Sequence, residues 1–216
     1  MPVAERHQLK PVARTGATQA PPRRHDGRPH ADVDDADRPL CPIARAKRPV
    51  VSAAVRFGLD VAQQRLEWHE VVRRARLAEE LGFDGVWGFD HFVPMYGEGP
   101  GNCFEGMTTL AALASATSRV RLGLLVTGVT YRHPSLLAAQ AVTIDHASAG
   151  RLELALGTAW YEPEHRQLGF PFPPVAQRFE LLEDTLEVLT RLFTGERVVY
   201  EGRHVHLDGA QLLPVP

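Results

Sequence analysis

Gly82-Phe83-Asp84-Gly85-Val86-Trp87-Gly88-Phe89-Asp90-His91-Phe92 reads as a short buried strand that stops at a polar pair, Asp90 and His91. Pro94 and the glycines of Tyr96-Gly97-Glu98-Gly99-Pro100-Gly101 break any regular continuation, as a loop at the mouth of a site would. An acid and a histidine at a strand end, in a chain that repeats strand then helix, lie where a parallel barrel keeps its chemistry.

Outward from this stretch the chain alternates regularly. On the N-terminal side a strand is expected over Val55 to Val61 and a helix over Arg65 to Leu81, with Trp68, Val72, Ala75, Ala78 and Leu81 on one face. Gly82 then supplies the left-handed cap. On the C-terminal side a helix from Glu105 to Thr117 turns Met107, Leu110, Ala111 and Ala114 inward, and Val120 to Thr127 reads as one strand. Pro134 opens a helix that Ala149-Gly150 ends, and a fourth strand runs from Arg151 to Gly157. After a loop through Trp160, Tyr161 and Pro171 to Pro174, a helix from Val175 to Phe193 carries Val175, Phe179, Leu182, Leu186, Leu189 and Phe193 on one stripe. Four strand and helix units imply a parallel sheet with right-handed crossovers, either an open doubly wound sheet or a closed barrel. A dinucleotide-binding sheet would carry Gly-x-Gly-x-x-Gly after its first strand, where this chain has Ala62-Gln63-Gln64. Near the end, Arg197 to Tyr200 and His204 to Leu207 form a hairpin around Glu201-Gly202, and no further strand is expected before Pro216.

A hydrophobic share of 44% in 216 residues is enough for a sizeable core. The sequence has no apolar run near the roughly 18 residues of a membrane span and no secretory signal core, so a cytoplasmic protein is the default expectation. Its formal net charge of -2 gives no pull toward nucleic acid or an anionic membrane. Residues 1–49 differ from the rest: Pro21-Pro22-Arg23-Arg24-His25 and the acid cluster Asp32 to Asp37 lie among almost no periodic apolar residues. Such a segment cannot bury enough surface to offset its ordering entropy, so it is expected to be a disordered extension, with His7, His25 and His30 solvated. The folded domain is then 50–216. Cys41 and Cys103 have no ligand-like spacing and read as incidental.

Three segments can carry chemistry. His91 can donate to a carbonyl or take a proton, and the plain alternative is that Asp90 caps the loop while His91 packs on an apolar wall. In Thr127 to Pro134, small residues let the backbone approach a flat ligand and Arg132 can hold an anion; the alternative is a simple strand-to-helix turn. Gly157-Thr158-Ala159-Trp160-Tyr161-Glu162 combines a small-residue strand end, an aromatic wall and a carboxylate, although Glu162, Glu164 and His165 also suit a solvated loop. His204 and His206 share a strand face without a third ligand, so no metal site is expected.

From Val55 to Pro216 the chain resembles the luciferase-like monooxygenase superfamily, most closely its branch dependent on the deazaflavin coenzyme F420. The resemblance rests on Gly82 to Trp87, Asp90-His91-Phe92, Thr108 to Ala114, Arg119 to Gly123, Thr127 to Pro134, Ser148 to Leu154, Trp160 to His165 and Gln211 to Pro214, in order. It implies a (β/α)8 TIM barrel, of which only the first four strand-helix units are present, with cofactor and substrate at the C-terminal strand ends. It also implies hydride transfer to or from F420, with Asp90 and His91 beside the cofactor ring and Thr158 and Ala159 along it. Thr127, Gly128 and Val129 would form the bulge that backs the ring, with a non-prolyl cis peptide at Gly128-Val129.

Some dehydrogenases of this type carry a glutamate proton donor in Gly-Thr-Gly-Glu, where this chain has Gly157-Thr158-Ala159-Trp160. That departure speaks against a sugar-phosphate dehydrogenase and leaves His91 or Glu162 as the acid. The resemblance thus implies an F420-dependent oxidoreductase acting on a small-molecule substrate, with no nucleic acid or membrane partner, and is compatible with a homodimer. Two other readings stand beside it: FMN in place of F420, and a non-catalytic half-barrel, because four strands leave two open edges.

Overall fold

The computed structural model describes residues 55–216; the extension expected over 1–49, with Cys41, lies outside them. Among the described residues the order is β1 (Gly58–Asp60), α1 (Trp68–Glu80), β2 (Gly85–Gly88), α2 (Gly106–Ala116), β3 (Arg121–Leu124), β4 (Thr127–Gly128) and α3 (Pro134–Ser148). There follow β5 (Leu152–Glu153), β6 (Leu156–Gly157), α4 (Glu162–Leu168), α5 (Val175–Leu192), β7 (Val198–Glu201) and β8 (His206–Ala210). Strands β1, β2, β3 and β5 are parallel neighbours in that order, and β4 pairs in parallel with β6. Each new unit is added on the same side, with no reversal of strand order. A doubly wound sheet reverses at a switch point and a barrel does not, so this arc is barrel wall.

Local chemistry explains the element ends. Glu105 caps α2 by accepting from the amides of Met107 at 3.2 Å and Thr108 at 2.6 Å. His133 caps α3 by accepting from Ser135 N at 3.2 Å, with Pro134 in the first turn. Left-handed Gly82, at φ 89°, follows α1. On the concave side, Trp87 lies over Gly58 and Gly123, where an added Cβ would overlap the indole ring. On the other side, Ala75, Ala78, Met107, Leu110, Leu113, Val120, Leu122, Leu137, Ile144 and Val188 form the core.

The structure departs from the sequence expectations in four places. The strand expected over Val55 to Val61 is only β1, and Val55 and Phe57 are exposed. In α1 the buried positions are Val71, Ala75 and Ala78, while Trp68 turns aside to meet Phe104 edge-on at 5.5 Å. The expected third and fourth strands are each split in two, β3 from β4 and β5 from β6. Along α5 the buried face is Asp184, Thr185, Val188, Leu189 and Leu192, leaving Val175, Phe179 and Leu186 exposed. The hairpin causes that rotation, since Tyr200 Oη, His204 N and Val205 N all donate to Asp184, at 2.8, 2.7 and 3.1 Å. His204 and His206 pair with different carboxylates, Glu180 and Glu201, each at 2.9 Å.

Candidate active site

Three strand ends converge on a cavity of about 250 Å³. Asp90 and His91 enter it from the end of β2, Leu125 and Val126 from the break between β3 and β4, and Gly157 to Trp160 from the end of β6; Gly128 and Tyr131 complete the lining. Of the expected cofactor residues, Asp90, His91, Gly128, Thr158 and Ala159 are therefore at the cavity. Thr127 and Val129 are instead buried in strand pairing, their amides donating to Ala155 O at 2.8 Å and Gly157 O at 3.0 Å. The bulge with the non-prolyl cis peptide is Leu125-Val126, not Gly128-Val129.

Asp90 is 3% exposed and is held by Arg132, whose Nη1 and Nη2 donate to its two oxygens at 2.6 and 2.7 Å, and by Gly128 N at 2.8 Å. Arg132 also contacts Glu105. The arginine expected to bind an anion is thus occupied by two carboxylates and ties the end of β2, the N-terminus of α2 and the turn after β4 together. Burial pushes the Glu105 carboxyl up, but the Thr108 and Arg132 hydrogen bonds hold it below the usual range, so Glu105 stays ionised beside Arg132.

His91 is oriented from behind. Its Nδ1 lies 3.0 Å from Glu164 Oε2, and Glu164 also accepts from Phe92 N at 2.6 Å, Val93 N at 2.9 Å and Tyr131 Oη at 2.5 Å. Burial pushes Glu164 up, but His91, Tyr131 and the two amides together hold it below the usual carboxylate range. The Tyr131 hydroxyl is driven the other way, first by burial and then by the Glu164 charge, so it remains a donor. Cys103 gives its thiol to His91 O at 3.3 Å, and burial with the same charge pushes it up to about 12, which leaves it a thiol rather than a nucleophile.

Glu162 does not line the cavity: its side chain is 62% exposed and pairs with Arg166 at 3.8 Å. The carboxylate that reaches His91 is Glu164, and it is not part of a solvated loop. Positions two apart on a helix face roughly 200° from one another, so α4 turns Glu162 out and Glu164 in. His165 is buried as well, donating from Nδ1 to Tyr161 O at 2.8 Å and meeting Thr130 Oγ1 through Nε2 at 2.7 Å, with its ring stacked on Tyr131 at 4.5 Å. Pro163 near the start of α4 and left-handed Gly169 after it are the sequence signals that mark this helix. Arg178 anchors the far wall: it donates to the carbonyls of Thr158 at 3.1 Å and Ala159 at 2.5 Å while lying 4.1 Å over the Phe172 ring. Trp160 stands at the rim, 68% exposed and 5.9 Å from the His91 ring.

Together, fold and site define a parallel α/β barrel protein with an oriented histidine and an apolar ledge, Leu125-Val126, at the C-terminal ends of its strands. A family model described as luciferase-like monooxygenase matches residues 48–216, and the chain belongs to that family. It is 32% identical over 163 residues to the F420-dependent glucose-6-phosphate dehydrogenase of Microbacterium testaceum, covering 75% of this chain and 48% of the relative. The coenzyme F420 dependent tetrahydromethanopterin reductase of Methanopyrus kandleri superposes with a TM-score of 0.62 at 26% identity, over 74% of this chain and 46% of that one. An F420-dependent secondary alcohol dehydrogenase in complex with an F420-acetone adduct superposes at 0.68 and 24% identity, over 74% of this chain and 49% of that one, a likeness of fold. The chain spans about half the length of the curated relatives it matches. No helix among the described residues is long and apolar enough to cross a membrane.

Proposed function

We propose that this chain forms the proton-handling part of an oxidoreductase that moves a hydride between coenzyme F420 and a small organic substrate. The observation that carries this reading is His91, fixed through Nδ1 by Glu164 and lining the same cavity as the Leu125-Val126 ledge. The residues present fit a flat ring: Leu125 and Val126 are apolar yet 57% and 42% exposed, and Gly128 and Gly157 bring bare backbone to the lining. When bound, F420 supplies the hydride chemistry; the protein supplies orientation and electrostatics. Leu125 and Val126 exclude water from one side, Arg178 holds the Thr158-Ala159 backbone in place, and His91 holds or takes the substrate proton. At the position where some related dehydrogenases carry a glutamate proton donor, this chain has Trp160, and Glu162 points to solvent, so His91 is the acid and base of this reading, and the departure speaks against glucose 6-phosphate as its substrate. Titration of the purified chain with F420 and, separately, with FMN tests the reading by absorbance and fluorescence. Saturable binding of F420 is expected; binding of FMN alone moves the chain to the flavin branch, and binding of neither removes the enzyme reading.

A further inference from the structure

We propose that Glu164 is a positioning residue that decides which nitrogen of His91 carries the proton, so that Nε2 meets the cavity as a bare acceptor. The catalytic meaning rests on the function proposed above; the tautomer itself does not. Backbone amides can only donate, and two of them, Phe92 N and Val93 N, converge on Glu164 Oε1. Oε2 receives the Tyr131 hydroxyl and faces His91 Nδ1. Glu164 is fully buried, and the two amides and the Tyr131 hydroxyl, whose roles do not depend on the imidazole, satisfy it as a carboxylate. An ionised carboxylate has no proton to give, so Nδ1 must donate. A neutral imidazole carries one N–H, and Nε2 is then a lone pair that no group among the described residues engages. The ring is kept at that angle by edge contacts with Phe89 at 5.4 Å and Tyr161 at 6.3 Å. A substrate hydroxyl entering the cavity therefore finds an acceptor for its proton rather than a donor.

The same geometry predicts what a neutral isostere does. In Glu164→Gln the two backbone amides hold the side-chain carbonyl at the Oε1 position, which places the amide NH2 against His91 Nδ1 and Tyr131 Oη. Both must then accept, and the neutral ring is forced to the Nε2–H form. Its face toward the cavity changes from acceptor to donor with almost no change in shape.

Long-range 1H–15N correlation spectra of the histidine-labelled chain test this, recorded where the ring is neutral, with the His91 signal assigned by its loss in His91→Gln. The expected result is Nδ1–H in the wild type and Nε2–H in Glu164→Gln, with matching melting curves. Nε2–H in the wild type, or an unchanged tautomer in a folded Glu164→Gln, overturns the proposal. Should Glu164→Gln not fold, Tyr131→Phe serves instead: the carboxylate and its amides remain, so Nδ1–H must persist, and a switch to Nε2–H overturns the proposal. Failure of F420 to bind would remove the function reading and leave these spectra as they are.

Discussion

Replacing Arg132 with methionine tests the buried triad that shapes the site. Methionine keeps much of the side-chain stem that packs beside β2, so the loss is chiefly of charge and hydrogen bonds. Asp90, 3% exposed, would keep only the Gly128 amide of its three donor contacts, and the Arg132 side chain itself is only 6% exposed, so water has little room to replace it. Breaking such a pair by removing one partner costs about 3 to 5 kcal/mol, because a buried charge is left uncompensated. In a domain of this size roughly 2 to 4 °C of Tm accompany each kcal/mol, which gives a fall of about 6 to 20 °C. A net stability of about 5 to 15 kcal/mol can absorb that loss, so the variant should fold. Urea unfolding followed by circular dichroism reads it as a lower midpoint at unchanged slope. Adding Asp90→Asn should recover part of the loss by removing the stranded charge. A single variant within about 1 kcal/mol of wild type would mean that solvent reaches Asp90 and that the pair is not a buried one.

Acid stability should depend on Glu79. Burial pushes its carboxyl up, but the amides of Val120, Arg119 and Ser118 and the Ser118 hydroxyl outweigh that and lower it to about 2. Because the folded value lies below the unfolded one, the stabilisation is present above the ordinary carboxylate range and is lost as pH falls toward about 2; Glu79→Gln should flatten the fall in urea midpoint across that window. Ala149 sits in the left-handed region at φ 56° just after α3 and is exposed, so Ala149→Gly should raise stability by up to about 1 kcal/mol, read as a higher urea midpoint.

The stretch ending at Asp90 and His91 was legible because an apolar run, a polar pair and a Pro-Gly loop are all local signals, and the structure places both residues at the cavity. The strand breaks were not legible. Leu125 and Val126 continue the apolar run from Val120, and only tertiary structure turns them from sheet wall into ledge. The buried face of α5 was hidden for a similar reason, since Asp184 is drawn inward by donors from a hairpin that lies beyond the helix in sequence. Arg132 looked free for an anion because its partners, Asp90 and Glu105, are 42 and 27 residues away. Glu164 was missed because a helix of 7 residues is too short to show a period, although Pro163 and Gly169 bracket it.

The proposed function requires F420 to bind at the cavity, and Gly157 gives a way to localise that binding. A Cβ there would stand 2.6 Å from Val126 Cγ2, so a larger side chain disturbs the ledge itself. The decisive measurement is a fluorescence titration of the wild type and Gly157→Leu with F420, each checked by its melting curve. Saturable binding is expected of the wild type, with its loss in a folded Gly157→Leu; equal affinity in the two would mean that F420 binds elsewhere.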